Sequence, residues 1–261
     1  MRELNYDENW TPEIKKVHAE HKQFSSRHFA PNVYSWYGAR TRMVVELIKK
    51  HAPMARTVLD IGCAQGTIAI TLAELGYDVI GNDIREFYTE YAKMRDDKSC
   101  TKFVCSNFME FNPPHRFDVI VLTEVIEHIV EHDKFLRKIH DCLVPGGVFL
   151  VTTPNHGYFR ENLPSFSEIS MIDNLDKQFS ADGSDHFYLF RKDELVSLLG
   201  KNKFRLLEHR YFLSFIQYGF LKSGLLWRIF PMSIMEKISN MFTRYRTLCA
   251  QQCIVVRADT E

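Results

Sequence analysis

The chain carries no surplus of charge of either sign: 33 Lys and Arg stand against 33 Asp and Glu in 261 residues. A protein whose main task is to grip nucleic acid has a basic excess, so no nucleic-acid partner is expected. The six cysteines, at 63, 100, 105, 142, 249 and 253, form no CxxC pair and no zinc-finger spacing with histidine. Their use fits free thiols in a reducing, cytoplasmic compartment. The opening MRELNYDENW has no apolar signal-peptide core. No apolar run is long enough to span a bilayer. Phe212 to Phe230 comes nearest, and Gln217, Lys222 and Arg228 interrupt it. Repeats, low-complexity tracts and Gly/Ser linkers are missing, which excludes solenoids and flexibly strung modules. With 45% hydrophobic and 13% aromatic residues, the composition is that of an ordinary folded protein rather than a disordered one.

What is present is an alternation. Apolar residues from Trp36 to His51 fall at helical spacing, as at Val44, Leu47 and Ile48. Short apolar runs follow at Thr57–Ile61, Tyr77–Gly81, Lys102–Ser106, Phe117–Leu122 and Val148–Thr152. Helical stretches lie between them at Thr67–Leu75, Arg85–Lys93 and Lys134–Leu143, the last ending at Pro145-Gly146-Gly147. A helix at Lys192–Leu199 and strands at Phe204–Tyr211 and Cys249–Arg257 complete the series. Strands alternating with helices predict an α/β fold, a doubly wound and mostly parallel seven-stranded sheet covered on both faces. The organisation expected is one domain over 1–261, with an N-terminal helical segment at 1–52 and insertions at 155–190 and 213–248.

Leu59-Asp60-Ile61-Gly62-Cys63-Ala64-Gln65-Gly66 joins the first strand to a helix. Glycine permits a sharp turn and a close backbone approach, and the helix start offers free N–H groups to a ligand. The loop is not the G-x-G-x-x-G of dinucleotide-binding folds, which counts against a nicotinamide-dependent oxidoreductase. Asp83 ends the second strand about twenty residues later, the spacing of a ribose-binding acid. Alone, such an Asp could equally cap the next helix.

Taken together, these residues resemble the class I S-adenosylmethionine (SAM)-dependent methyltransferases. The family's first motif is matched by Asp60, Gly62, Cys63, Ala64 and Gly66, with Ala64 in place of the middle glycine. The acidic end of the second strand is matched by Asp83, followed by Ile84. The adenine-binding position is matched by Asn107 and Phe108, with Asn where Asp is commoner. Leu143-Val-Pro-Gly-Gly147 is also typical. The resemblance implies a Rossmann-like sheet with the last strand reversed, SAM as cofactor, and Thr123 at the cofactor's edge. Arg40, in Trp36-Tyr-Gly-Ala-Arg40, resembles a residue that meets the SAM carboxylate in some relatives, and it reads equally well as a solvated helix Arg.

The fourth strand runs into Leu122-Thr-Glu124-Val-Ile-Glu127-His128. A helical turn would bring Glu124, Glu127 and His128 to one face. Two carboxylates and an imidazole suit Mg²⁺ or another divalent cation, or one general base, His128. The stretch resembles two metal-using branches of the family, which methylate polyprenyl catechols or the terminal 2′-hydroxyl of small RNAs. That likeness implies metal ligands Glu124, Glu127, His128 and a later histidine, His186, with His132 as an alternative. His128 and Glu124 are the catalytic candidates; without metal, Glu127 biases a helix start and His128 is a lone general base or a packed imidazole.

The segment 213–248 is rich in Phe, Leu, Ile and Met with Lys and Arg interleaved. It reads as helical: a packed hairpin, an acceptor lid, or a peripheral membrane contact through 213–242. The function expected is methylation of a hydroxyl, of vicinal diol or catechol type, on a glycan, lipid-linked or small-molecule acceptor. A metal-free methyltransferase and a non-catalytic SAM-binding protein are the competing readings.

Overall fold

The computed structural model describes residues 1–25, 31–169, 188–217 and 230–260. Seven strands form one sheet: β1 (Thr57–Ile61), β2 (Asp78–Asp83), β3 (Thr101–Cys105), β4 (Phe117–Thr123), β5 (Leu143–Pro154), β6 (Phe204–Ser214) and β7 (Cys249–Ala258). Their order is β3-β2-β1-β4-β5-β7-β6. Strands β1 to β5 pair in parallel, and β7 runs antiparallel to both β5 and β6. This is the expected α/β architecture with its reversed last strand.

Side-chain alternation divides the core. On one face Ile120 and Leu122 of β4 meet Phe135, Leu136 and Ile139 of α5 (His132–Cys142) and Leu195 and Leu199 of α7 (Lys192–Lys201). On the other, Val119 and Val121 meet Val44, Leu47 and Ile48 of α2 (Pro31–His51) and Ile70 and Leu72 of α3 (Thr67–Glu74). Strands buried on both faces read as continuous apolar runs, which is why β1 and β4 were legible.

Three local features sharpen the expected outline. The N-terminal helical segment includes, in its polar first part, a helix, α1 (Pro12–Ser25), packed on Tyr91 of α4 (Glu86–Arg95). Its buried face includes His18 and His21 beside Ile14 and Val17, so the apolar periodicity is broken by imidazoles. These bond to one phenol: His18 Nδ1 lies 2.9 Å and His21 Nδ1 3.1 Å from the Tyr91 hydroxyl. Second, α5 stops at Cys142 and β5 begins at once, so Pro145-Gly146-Gly147 lies within the strand rather than ending the helix. The pairing jumps there from Phe117–Leu143 to Val119–Val148, and Gly146 takes a φ of +73° in the bulge. Third, β6 extends to Ser214, and the second insertion contributes the helix Met232–Met241, numbered α8 after the one-turn α6 (Phe166–Ile169). Among the described residues no helix is long and apolar enough to cross a membrane.

Candidate active site

The carboxyl ends of β1, β2, β3 and β4 surround a cavity of about 820 Å³. Strand order reverses between β1 and β4, the switch point where open α/β sheets bind ligands. The volume suits a nucleotide-sized molecule.

The loop leaving β1 is built by its backbone. Gly62 takes a φ of +71°, and a Cβ there would stand 2.5 Å from Val125 Cγ2. The N–H groups of Gly62 and Cys63 both donate to the Asn82 carbonyl, at 2.8 and 3.0 Å. Ala64 also lies in the left-handed region, at +44°, a conformation glycine adopts more freely than alanine. Its N–H donates to Asp83 Oδ2 at 2.9 Å, which fixes the loop against β2. Gly66, at +73°, has no room for a side chain, since a Cβ would stand 2.8 Å from both Ala92 and Phe103.

Two acids line the cavity beside this loop. Asp60 is 1% exposed, and neither of its oxygens has a hydrogen-bond partner. Burial, with Asp83 nearby, pushes its pKa up to about 7. Asp83 spends one oxygen on Ala64 and the other on the Arg85 N–H, at 3.0 Å. Each oxygen keeps a further lone pair for a hydroxyl, and burial raises this acid also. Ile84 is 65% exposed on the cavity wall, an apolar surface left open beside the acid. Asn107 and Phe108 line the cavity too. Asn107 Oδ1 accepts the Met109 N–H at 3.0 Å, so its side-chain carbonyl is already partly engaged. Phe108 packs on Phe135, their ring centroids 5.1 Å apart.

At the end of β4 the expected single face does not form. Thr123 lines the cavity, and Glu124 then takes a φ of +55°, uncommon for a residue with a side chain. One 3₁₀ turn, Ile126–His128, follows instead of an α-helical turn. It turns Glu127 into the core and leaves the other two side chains at the cavity. Glu124 and His128 line the cavity. Glu127 is 2% exposed, accepts a hydrogen bond from Thr153 Oγ1 at 3.0 Å, and is held well above the carboxylate range by burial and by Glu124.

Glu124 is held on three sides. Thr152 Oγ1 donates to Oε1 at 2.8 Å, Gln251 Nε2 donates to Oε2, and an Arg40 nitrogen lies 3.4 Å from Oε2. Arg40 also donates to Gln251 Oε1 at 2.8 Å, and its buried Nε has no partner. Arg40 is thus not a solvated helix arginine: its side chain is 11% exposed and lines the cavity. Gln251, on β7, carried no signal in the sequence.

His132 is not free to bind a metal. Its Nε2 lies 3.1 Å from both the Ile126 carbonyl and the Tyr188 hydroxyl, and its ring packs among Phe166 and Phe190. His186 lies outside the described residues. Among the described residues no three His, Cys, Asp or Glu side chains are grouped to hold a metal. The Arg40 guanidinium already supplies the positive charge beside Glu124. The unpartnered Asp60 carboxylate and the open Ile84 surface fit an amino-acid nucleoside.

Residues 15–209 match the family model described as a methyltransferase domain. A ubiquinone biosynthesis O-methyltransferase of Bradyrhizobium diazoefficiens is 37% identical over 103 residues, 39% of this chain and 41% of that one. A protein of Mycolicibacterium smegmatis named as an S-adenosylmethionine-dependent methyltransferase is 34% identical over 120 residues, 46% of each chain. The aligned stretch thus spans under half the length of these curated relatives. Among solved structures, phosphoethanolamine N-methyltransferase 2 of Haemonchus contortus, in complex with S-adenosyl-L-methionine, superposes with a TM-score of 0.60 at 15% identity, covering 95% of this chain and 57% of that one. Magnesium protoporphyrin IX methyltransferase of Synechocystis, with bound SAH, gives 0.53 at 12% identity over 97% and 91%. The cyclase SpnF gives 0.58 at 17% identity over 87% and 84%. These likenesses are of fold, and a fold shared with a cyclase does not by itself specify methyl transfer.

Proposed function

This chain belongs to the methyltransferase-domain family, and from that premise we propose that it uses S-adenosylmethionine to methylate a hydroxyl of a small molecule, with His128 as general base. The observation that carries the reading is one cavity holding both a buried, unpartnered carboxylate, Asp60, and an imidazole, His128. When bound, the cofactor supplies an electrophilic methyl group on a sulfonium. The rest falls to the protein. Asp83 accepts hydrogen bonds from the ribose hydroxyls, and Ile84 offers its exposed side chain to the adenine. Asp60 receives the ammonium group and Arg40 the carboxylate, each pairing opposite charges in a partly dry site. The chain's task is then to hold acceptor oxygen and methyl in line while water is kept out. His128 takes the proton that the hydroxyl loses, and Glu124 with Arg40 forms the polar wall beside it.

The name of the Bradyrhizobium relative supports oxygen as the accepting atom. A catechol or vicinal diol fits best, since one hydroxyl can bond to Glu124 while its neighbour is deprotonated. Within this class the apolar character of 213–248 favours a lipid-linked acceptor over a free sugar. The test is production of S-adenosylhomocysteine from labelled SAM across a panel of catechols, diols and amines. Turnover with catechols is expected, and His128→Ala should lower kcat by about 10²–10⁴ while SAM still binds. Methylation of amines alone, or a His128→Ala enzyme as fast as wild type, overturns the assignment.

A further inference from the structure

Among the described residues, helix α8 has two apolar faces and buries one of them. Met235 and Ser239, one turn apart, are 4% and 0% exposed. Ser239 fastens the helix to the end of β6, its Oγ lying 2.7 Å from Ser214 Oγ and donating to Gln217 Oε1 at 2.5 Å. Ile234, Ile238 and Met241 recur at the other helical spacing and are 46%, 39% and 60% exposed. A soluble helix normally turns polar residues outward, so an apolar stripe this exposed marks a contact surface.

The charges of this segment of the sequence identify the partner. Over 213–248 the chain carries Lys222, Arg228, Lys237, Arg244 and Arg246 against Glu236 alone, although the whole chain is neutral. Glu236 is itself paired with Arg42 of α2. Lys237, Arg244 and Arg246 are exposed. Tyr245, 51% exposed, lies beside the Arg244 guanidinium, 5.6 Å from its ring centroid. Apolar side chains flanked by cations and an amphipathic aromatic are what the headgroup region of an anionic bilayer receives. A second copy of the chain fits poorly, because a two-fold contact would set the same cations against each other. We propose that α8 and the turn after it dock this protein on an anionic lipid surface. Ser214 ends β6 and Cys249 starts β7, so the docking face stands at the carboxyl edge of the sheet, the edge on which the cavity opens. An acceptor held in the bilayer would meet the enzyme on that side.

Flotation with vesicles tests this. The purified protein should rise with phosphatidylcholine vesicles that contain phosphatidylglycerol, much less with phosphatidylcholine alone, and less in high salt. Ile234→Ser/Ile238→Ser/Met241→Ser should lower partitioning by at least about tenfold. Its unchanged thermal midpoint and S-adenosylhomocysteine affinity would show an intact fold. Lys237→Gln and Arg244→Gln should each cost about fivefold on the anionic vesicles only, a second readout should the triple variant misfold. A wild-type protein that stays below both kinds of vesicle at low salt overturns the proposal. So does a triple variant that floats as well as wild type. Concentration-dependent dimers in light scattering, abolished by the triple variant, would assign the stripe to a second copy instead.

Discussion

Asp60 shows how a single side chain reports on its site. A carboxylate at 1% exposure without a hydrogen bond is costly to ionise, and burial lifts its pKa from 3.8 to about 7. Over that window the folded protein binds more protons than the unfolded chain, so this residue subtracts stability as pH rises and subtracts no more above about 7. A ligand ammonium acts in the opposite sense by favouring the ionised form. The affinity for S-adenosylhomocysteine should therefore climb as pH rises toward 7, by up to about tenfold per pH unit, and then level. Asp60→Asn should flatten the profile. Calorimetric titration across pH checks both, and a wild-type profile already flat would move the ammonium elsewhere. Asp60, Gly62, Gly66 and Asp83 were legible in the sequence because a strand-to-helix loop dictates residue types locally. Glu127 was not. Its turn into the core follows from the left-handed φ of Glu124, which no spacing rule announces.

At the scale of elements, the parallel strands were readable from their unbroken apolar runs, while the bounds of α1 within the N-terminal helical segment were obscured by His18 and His21 on its buried face. The clasp between α2 and β6 was hidden for another reason: it joins residues far apart in the chain. Glu208 on β6 accepts from Arg210 through Oε1 at 2.5 Å and from Lys50 through Oε2 at 2.8 Å, and His51 Nε2 lies 2.5 Å from that same Oε2. Arg210 reaches on to Glu46 at 2.9 Å. Although some burial opposes it, this ring of donors draws the Glu208 pKa down from 4.5 to about 2. A depressed folded pKa means stability that is present above 4.5 and lost as pH falls toward 2. Lys50 is 53% exposed, so solvent screens the ring and the effect is modest. Glu208→Gln should lower unfolding stability near neutral pH by about 1 kcal/mol, with the gap closing in acid. Urea midpoints at several pH values measure this, and a gap that persists unchanged in acid would assign the loss to packing rather than charge.

At the scale of the whole molecule, the reversed last strand completes the site. Because β7 runs against β5, its first residues arrive at the carboxyl edge, where Gln251 pairs with Pro154. That topology brings Gln251 to Arg40, 211 positions away, and to Glu124, 127 positions away, and no local pattern could have shown it. The same closure bears on the cation expected from Glu-x-x-Glu-His. A divalent ion at Glu124 would have to displace a guanidinium 3.4 Å from the carboxylate and the amide of Gln251, with Glu127 turned into the core. Hard cations demand several ligands at once, and among the described residues Glu124 is already engaged by Thr152, Gln251 and Arg40. Methyl transfer is therefore expected to survive thorough EDTA treatment at the full rate. Arg40→Ala should weaken SAM binding by removing the partner of its carboxylate, on the order of 1.5–3 kcal/mol for a charged hydrogen bond. It should also make the enzyme newly sensitive to added Mg²⁺ or Mn²⁺, because Glu124 is then left without a cation. Wild-type turnover that stops with EDTA and returns with Mg²⁺ would mean that His186 completes a ligand set by breaking the Arg40–Glu124 pair, and the general-base reading of His128 would give way to metal activation of the hydroxyl.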